Sequence, residues 1–364
     1  MKKLLQSDGF KDFSSSCIAI LIGLIFGAVI IFISNSSEAL NGIGTLLTGP
    51  LEQGMAGIGR VIYYAVPIIM TGLSVGFAFK TGLFNIGTPG QFIVGAFLAV
   101  YIGVEWTFLP EAIHWVVALL GAFIGGALWA VIPGVMKAYL NVNEVISSIM
   151  MNYIGIYFVN YLVTLTIYDS LRNQTLPVAD AAEIPRMGLD KIFEGSQANG
   201  GFIIAILFVI LIYIILNKTT LGFEMKACGF NKDASKYAGI NEKRNIILSM
   251  VIAGALAGIG GGLLYLSGSG KFIEVVDVLP AEGFNGIPVA LLGLSNPIGI
   301  LFAGLFIAYL NVGGNIMQQF GFIPQIVDII ISCIIYCSAL SLMIKVWLSS
   351  RKKSKQDVKV KEGE

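Results

Sequence analysis

Very few residues in the apolar stretches of this chain could do chemistry, and their types are informative. Glu144 opens one apolar run, Asp328 lies near one end of the last, and the single histidine, His114, marks the boundary of another. A carrier driven by an ion gradient keeps carboxylates or histidines within its spans, where they bind and release the coupling ion. Here the interiors are nearly bare, so an energy source on another polypeptide is expected. Glu144 is the best candidate for a functional membrane carboxylate, although the positive end of a helix dipole explains an acid at that position equally well. Ser267-Gly-Ser-Gly-Lys-Phe272 has the outline of a phosphate loop. However, Tyr265 stands where that loop needs glycine, and Phe272 replaces the Ser/Thr that would hold magnesium. No nucleotide hydrolysis, and no catalytic residue, is expected. One histidine and four scattered cysteines give neither a disulfide framework nor a zinc spacing. Cys333 and Cys337 share a helix face as an apolar pair, and no metal or cofactor is expected.

The most informative stretch is uncharged. In Thr81-Gly-Leu-Phe-Asn-Ile-Gly-Thr-Pro-Gly-Gln91, glycines and a proline interrupt two apolar runs, while Asn85, Thr88 and Gln91 supply neutral hydrogen-bonding groups. Phe284-Asn-Gly-Ile-Pro288 repeats Phe-Asn beside Gly and Pro. Amides and aromatics suit an uncharged, hydroxyl-rich solute, because buried polar groups need partners. The same residues also serve to cap broken helices, and the sequence leaves both readings open.

The elements that must hold these residues are membrane spans. Of 364 residues, 56% are hydrophobic and 12% charged, about half the ~25% charged residues of a soluble domain. Mean hydropathy is +0.82. Apolar runs occur at 17–33, 61–79, 90–104, 113–135, 145–167, 202–216, 246–266, 284–294, 297–310 and 326–344. Crossing a ~30 Å hydrocarbon core takes about 20 helical residues. The runs at 90–104, 284–294 and 297–310 are too short, which predicts broken or re-entrant helices; irregular backbone at that depth is sheltered by protein or a cavity. The reading is an all-α membrane protein of about ten helices. A faint echo between 126–157 and 304–336 suggests two inverted five-helix halves.

Lys and Arg set the expected orientation. With both termini cytoplasmic and the path alternating, eighteen bases lie inside and five, Arg60, Arg172, Arg186, Lys191 and Lys271, lie outside. The apolar run begins only at Cys17 and lacks a small-residue cleavage site, so an uncleaved first span is expected after a cytoplasmic 1–16. The expected membrane region is 17–344, followed by a polar, disordered basic tail over 345–364. Residues 168–200 form a long outer loop and 217–245 a basic inner one. Within the latter, 230–240 reads as a short helix, with Asn231 as N-cap, Asp233 at its positive end and Gly239 as its stop. That helix is either a solvated element near anionic lipid or a docking helix for a cytoplasmic partner. Glycine ladders at 23/27, 72/76, 121/125 and 254/258/262 are expected to let helices approach closely.

Four stretches resemble one family: Phe84–Gln91, Val142–Tyr153, Cys228–Asn241 and Phe284–Gly293. They are similar to permeases of bacterial ABC importers in the branched-chain amino acid, ribose and nucleoside group. The likeness is greatest to the larger permease of nucleoside importers served by a basic-membrane-protein type lipoprotein. It implies a second permease, a cytoplasmic ABC ATPase, an extracellular substrate-binding lipoprotein and a nucleoside cargo, with no nucleic acid as partner. It further implies a path near Phe84, Asn85, Thr88, Gln91, Glu144, Ser148, Asn152, Tyr153, Phe284 and Asn285. Under the same likeness, Gly229, Asn231, Asp233, Ala234, Tyr237, Ala238 and Gly239 make the ATPase-coupling helix. Cys228 and Ser235 stand where other small residues, usually Ala, are expected, and Thr88-Pro89 departs from the usual pair. The rival readings are a permease for simple sugars or branched-chain amino acids, an ion-coupled carrier, and a membrane scaffold.

Overall fold

The computed structural model describes residues 8–339, which are helical almost throughout. The first helices are α1 (Asp8–Ser34), α2 (Ala39–Glu52), α3 (Gly54–Lys80), α4 (Thr88–Glu105), α5 (Glu111–Leu140) and α6 (Glu144–Thr166). A two-residue ladder, β1 (Tyr168–Asp169) with β2 (Gln174–Thr175), precedes α7 (Leu189–Ile192), α8 (Gly201–Lys218), α9 (Thr220–Phe230) and α10 (Lys232–Tyr237). Then come α11 (Glu242–Tyr265), α12 (Ala281–Phe284), α13 (Gly286–Leu292), α14 (Pro297–Met317) and α15 (Gln325–Ala339). The expected tail over 345–364 lies outside the described residues.

Among the described residues, seven helices (α3, α4, α5, α6, α8, α11 and α14) are long and apolar enough to cross a membrane. Two shorter apolar segments, Ile20–Ser34 and Gln325–Ile334, lie in α1 and α15. The chain is a multi-pass, all-α membrane protein. Three details depart from expectation. The run at 90–104 is a full 18-residue helix, because Thr88 and Pro89 form its first turn, where proline's missing N–H costs nothing. The run at 297–310 continues through Asn311, Gly313, Gly314 and Asn315 to give 21 residues. Only 284–294 is truly broken: it is shared between α12 and α13, of 4 and 7 residues, and Leu294 and Ser295 end it with φ of +53° and +52°. Helix α2 was not anticipated, because its glycines and Pro50 conceal it.

The chain forms two compact units, one of residues up to Gly49 together with those from Gly313, the other Pro50–Val312. In the first, Gly23 and Gly27 bring α1 against Ile334 and Ile330 of α15, and Gly42 accepts the ring of Phe322. In the second, α4, α5 and α11 meet at Gly95, Gly126 and Gly258. A Cβ on Gly126 would collide with the Gly254 carbonyl, and one on Gly258 with the Ala122 carbonyl. Glycine costs a water-exposed helix about 1 kcal/mol relative to alanine; between apolar spans it gives backbone-to-backbone packing instead. Helix α3 lies against α11 and α13, while α6 lies against α4.

Candidate functional site: an amide junction between two spans and the cavity beside it

The amides singled out in the sequence converge on the turn between α3 and α4. Asn85 and Gln91 exchange hydrogen bonds: Asn85 Nδ2 donates to Gln91 Oε1 (2.8 Å), and Gln91 Nε2 donates to Asn85 Oδ1 (3.1 Å). The backbone N–H of Gly87 also donates to Asn85 Oδ1, and Thr88 Oγ1 donates to the Asn85 carbonyl. From α6, Asn152 Oδ1 accepts from the Gly90 N–H (2.9 Å), while its Nδ2 donates to the Ile86 carbonyl (2.9 Å). These contacts satisfy backbone groups that a helix start leaves without partners. Asn85, Thr88, Gln91, Ser148 and Asn152 are all buried. Ser148 Oγ makes no hydrogen bond in this arrangement, and its Cβ lies beside Gly87. Phe84 stacks on Phe79 with centroids 5.4 Å apart.

Other residues of the expected path lie apart or face elsewhere. Glu144 is engaged with Lys137 at 2.8 Å across the α5–α6 turn, a turn made by left-handed Asn141 and by Asn143 capping the Val145 N–H. Tyr153 stands on the outward side of α6, 52% exposed. Helix α12 touches the junction through Gly283, whose Cβ would meet the backbone of Pro89. It leaves Phe284 partly exposed and Asn285 half-buried at the α12–α13 break.

At the end of α3 the 80–82 turn carries a second contact. Gly229 of α9 lies directly on the backbone of Lys80, Thr81 and Gly82, and Ser249 of α11 donates to Thr81 Oγ1 at 2.8 Å. Beyond Gly229 stands α10, with the ends the sequence predicts. Asn231 Oδ1 accepts from the Ala234 N–H, Asp233 lies in the first turn, and Ala238 is the C-cap. Gly239 turns left-handed at φ +81°. The N–H groups of Gly239 and Ile240 return to the carbonyls of Lys236 and Ser235, a Schellman closure. The helix itself is shorter than the 230–240 stretch, because Phe230 completes α9. Cys228 and Ser235 meet at 3.5 Å between the two helices, where large side chains would not fit. Phe230 and Tyr237 project outward, 90% and 95% exposed.

Beside α4 and α6, at the C-terminal end of α11, is a cavity of about 610 Å³, lined by Ile93, Ile156, Gln174, Tyr265, Phe272 and Glu282 among others. Ile156 is one helical turn beyond Asn152 and Ile93 one turn beyond Pro89, so the cavity floor lies about one turn along α4 and α6 from the amide junction, whose residues do not line it. Its wall carries an ion pair, Lys271 Nζ to Glu282 Oε1 at 3.1 Å. Burial opposes the charge on Lys271, but the Glu282 carboxylate outweighs it and holds the lysine above its ordinary 10.5. The Ser267–Phe272 stretch thus shapes a cavity wall and anchors hydroxyls: Tyr63 Oη and Ser267 Oγ each lie 2.7 Å from Ser269 Oγ. Sequence reasoning missed Lys271, Glu282 and Phe272, because a pair 11 residues apart in an irregular segment has no periodicity to reveal it.

The chain matches the family described as branched-chain amino acid transport system / permease component over residues 57–339. Among individual proteins, the guanosine ABC transporter permease NupP of Bacillus subtilis is 38% identical over 92% of this chain and 95% of its own length. A second guanosine ABC transporter permease of that organism, NupQ, is 28% identical over 73% of this chain and 84% of its own. A glucose ABC transporter permease of Haloferax volcanii is 30% identical over 89% and 86% respectively. No solved structure matches the chain. With its spans and this match over most of its length, the chain belongs to the family of branched-chain amino acid transport system permease components.

Proposed function

We propose that this permease subunit imports nucleosides in an ABC transporter. It would form the path with a second, different permease, receive cargo from an extracellular lipoprotein, and be driven by a cytoplasmic ATPase that engages α10. The observation that carries the reading is the contact of Gly229 with the 80–82 turn. It joins the end of α9, with exposed Phe230, and the capped α10, with exposed Tyr237, to the turn before the amide junction. Force applied at α10 therefore has a direct backbone route to Asn85 and Gln91. The charge bias, eighteen bases against five, supports a cytoplasmic α10 end with both termini on that side.

Nucleoside as cargo is supported by the guanosine relative over 95% of that protein's length. The presence of two guanosine permeases in one organism supports a heterodimeric partnership. The glucose relative favours a sugar as the second reading. The test is uptake of radiolabelled guanosine by cells producing the chain with its second permease, ATPase and lipoprotein, against cells lacking only the ATPase. Uptake that requires the ATPase and is competed by nucleosides but not by glucose or leucine is expected. Concentrative guanosine uptake by the purified chain alone, on a proton gradient in proteoliposomes, would remove the reading.

A further inference from the structure

We propose that the 610 Å³ cavity bordered by Ile93, Ile156, Phe272 and the Lys271–Glu282 pair is where the base of an incoming nucleoside docks before reaching the amide junction. This deepens the proposed function and rests on it. The volume lies within the ~300–1,000 Å³ of small-molecule sites. Its apolar floor, Ile93 and Ile156, and the flat faces of Phe272 and Tyr265 offer stacking surface of a kind every base accepts. Tyr265 is held from behind by Phe92, with ring centroids 6.5 Å apart.

The polar wall supplies the complement. The hydrogen-bonding edge of each nucleobase places an N–H or amino donor beside a carbonyl or ring-nitrogen acceptor. A carboxylate that only accepts and an ammonium that only donates, 3.1 Å apart, match that alternation. A second acidic residue, Glu274, lines the same cavity, its backbone paired antiparallel with that of Gln174. The pair is not sealed: the side chains of Lys271 and Glu282 keep 38% and 28% of their exposure. Lys271 follows Gly268 and Gly270, whose left-handed φ of +65° and +71° set the turn that presents it. Two further cavities, of about 620 and 460 Å³, are lined by loop residues and helix ends and include none of Ile93, Ile156, Lys271 and Glu282.

The experiment uses the complete transporter. ATP-dependent guanosine uptake by the parent must be seen first; its absence would sink the functional reading and the docking site with it. Given that uptake, Lys271→Met and Glu282→Gln are each expected to raise KM about tenfold, with kcat and membrane abundance near the parent's. The swapped double variant, Lys271→Glu with Glu282→Lys, keeps an ion pair but exchanges donor and acceptor, and is expected to stay impaired. If the swap restored the parent KM, or if neither single variant changed it, the pair would be a loop staple and the proposal overturned. As an independent readout, a maleimide should label Phe272→Cys more slowly in the presence of guanosine. Slowing by leucine and not guanosine would show a site for zwitterions and also overturn the proposal.

Discussion

Two regions of the second unit solve the same problem, holding helices together in an apolar medium, by opposite means. Where α4, α5 and α11 meet, Gly95, Gly126 and Gly258 place backbone on backbone. At the turn into α4, the helices are held by exchanged amide bonds among Asn85, Gln91, Asn152 and the backbone of Ile86, Gly87 and Gly90. A packed seam resists any displacement, since interdigitated surfaces have no alternative arrangement of similar energy. A hydrogen-bonded junction is different. Each donor can find another acceptor, so it can be firm in one conformation and reform in a second. Under the proposed function the seam serves as the frame and the junction as the moving part, with the contact of Gly229 and the 80–82 turn on the junction's side of that division.

The comparison breaks most visibly if the seam is filled. Gly258→Leu would drive a side chain into the Ala122 carbonyl and the Gly126 backbone. Overpacking a tight core costs about 1–3 kcal/mol and more where backbone is the obstacle. The expected outcome is loss of the folded chain from the membrane, measured by fluorescence-detected size exclusion of a tagged protein. A monodisperse variant with the parent's melting temperature would show that the seam has slack and is no frame.

The junction should respond differently. Asn152→Ala leaves the Gly90 N–H and the Ile86 carbonyl without partners in a buried place. An unsatisfied buried group costs about 1–3 kcal/mol. The chain is expected to remain in the membrane, melt a few degrees lower and lose most of its uptake rate. Asn152→Asp keeps an acceptor for Gly90 but loses the donor to Ile86, so its defect should be intermediate in melting. An uptake rate equal to the parent's in Asn152→Ala would show the amide to be a cap only.

How much of this was readable beforehand follows the same division. Glycine ladders, the Asn231 and Gly239 ends of α10 and the amide-rich break at 81–91 are local in sequence, and each was legible because a helix period or a cap has a fixed spacing. The reciprocal pairing of Asn85 with Gln91 was not, because residue type reveals a hydrogen-bonding capacity and not its partner. The Lys271–Glu282 pair and the cavity beside it depend on an extended segment that descends past Asn160, which donates to the Val276 carbonyl at 3.0 Å; no period marks such a path. The run at 297–310 read short because Asn311 and Asn315 lower hydropathy without interrupting a helix.

The smallest expected effect sharpens the comparison most, because it concerns a residue that looks functional. Glu144 is the first residue of α6, and its carboxylate pairs with Lys137 at 2.8 Å. If the chain were an ion-coupled carrier, Glu144→Gln would abolish transport, since the coupling proton or cation would lose its site. In the arrangement seen here, glutamine still accepts from Lys137 and forfeits only the charge. For a pair that retains solvent contact, that is a change within about 1 kcal/mol. ATP-driven uptake should therefore stay within about fivefold of the parent, since 1.4 kcal/mol is needed for a tenfold change. The measurement is initial uptake rate against ATP hydrolysis in the same vesicles. Hydrolysis that continues while uptake vanishes would move Glu144 from the frame to the moving part and reopen the question of what drives the cycle.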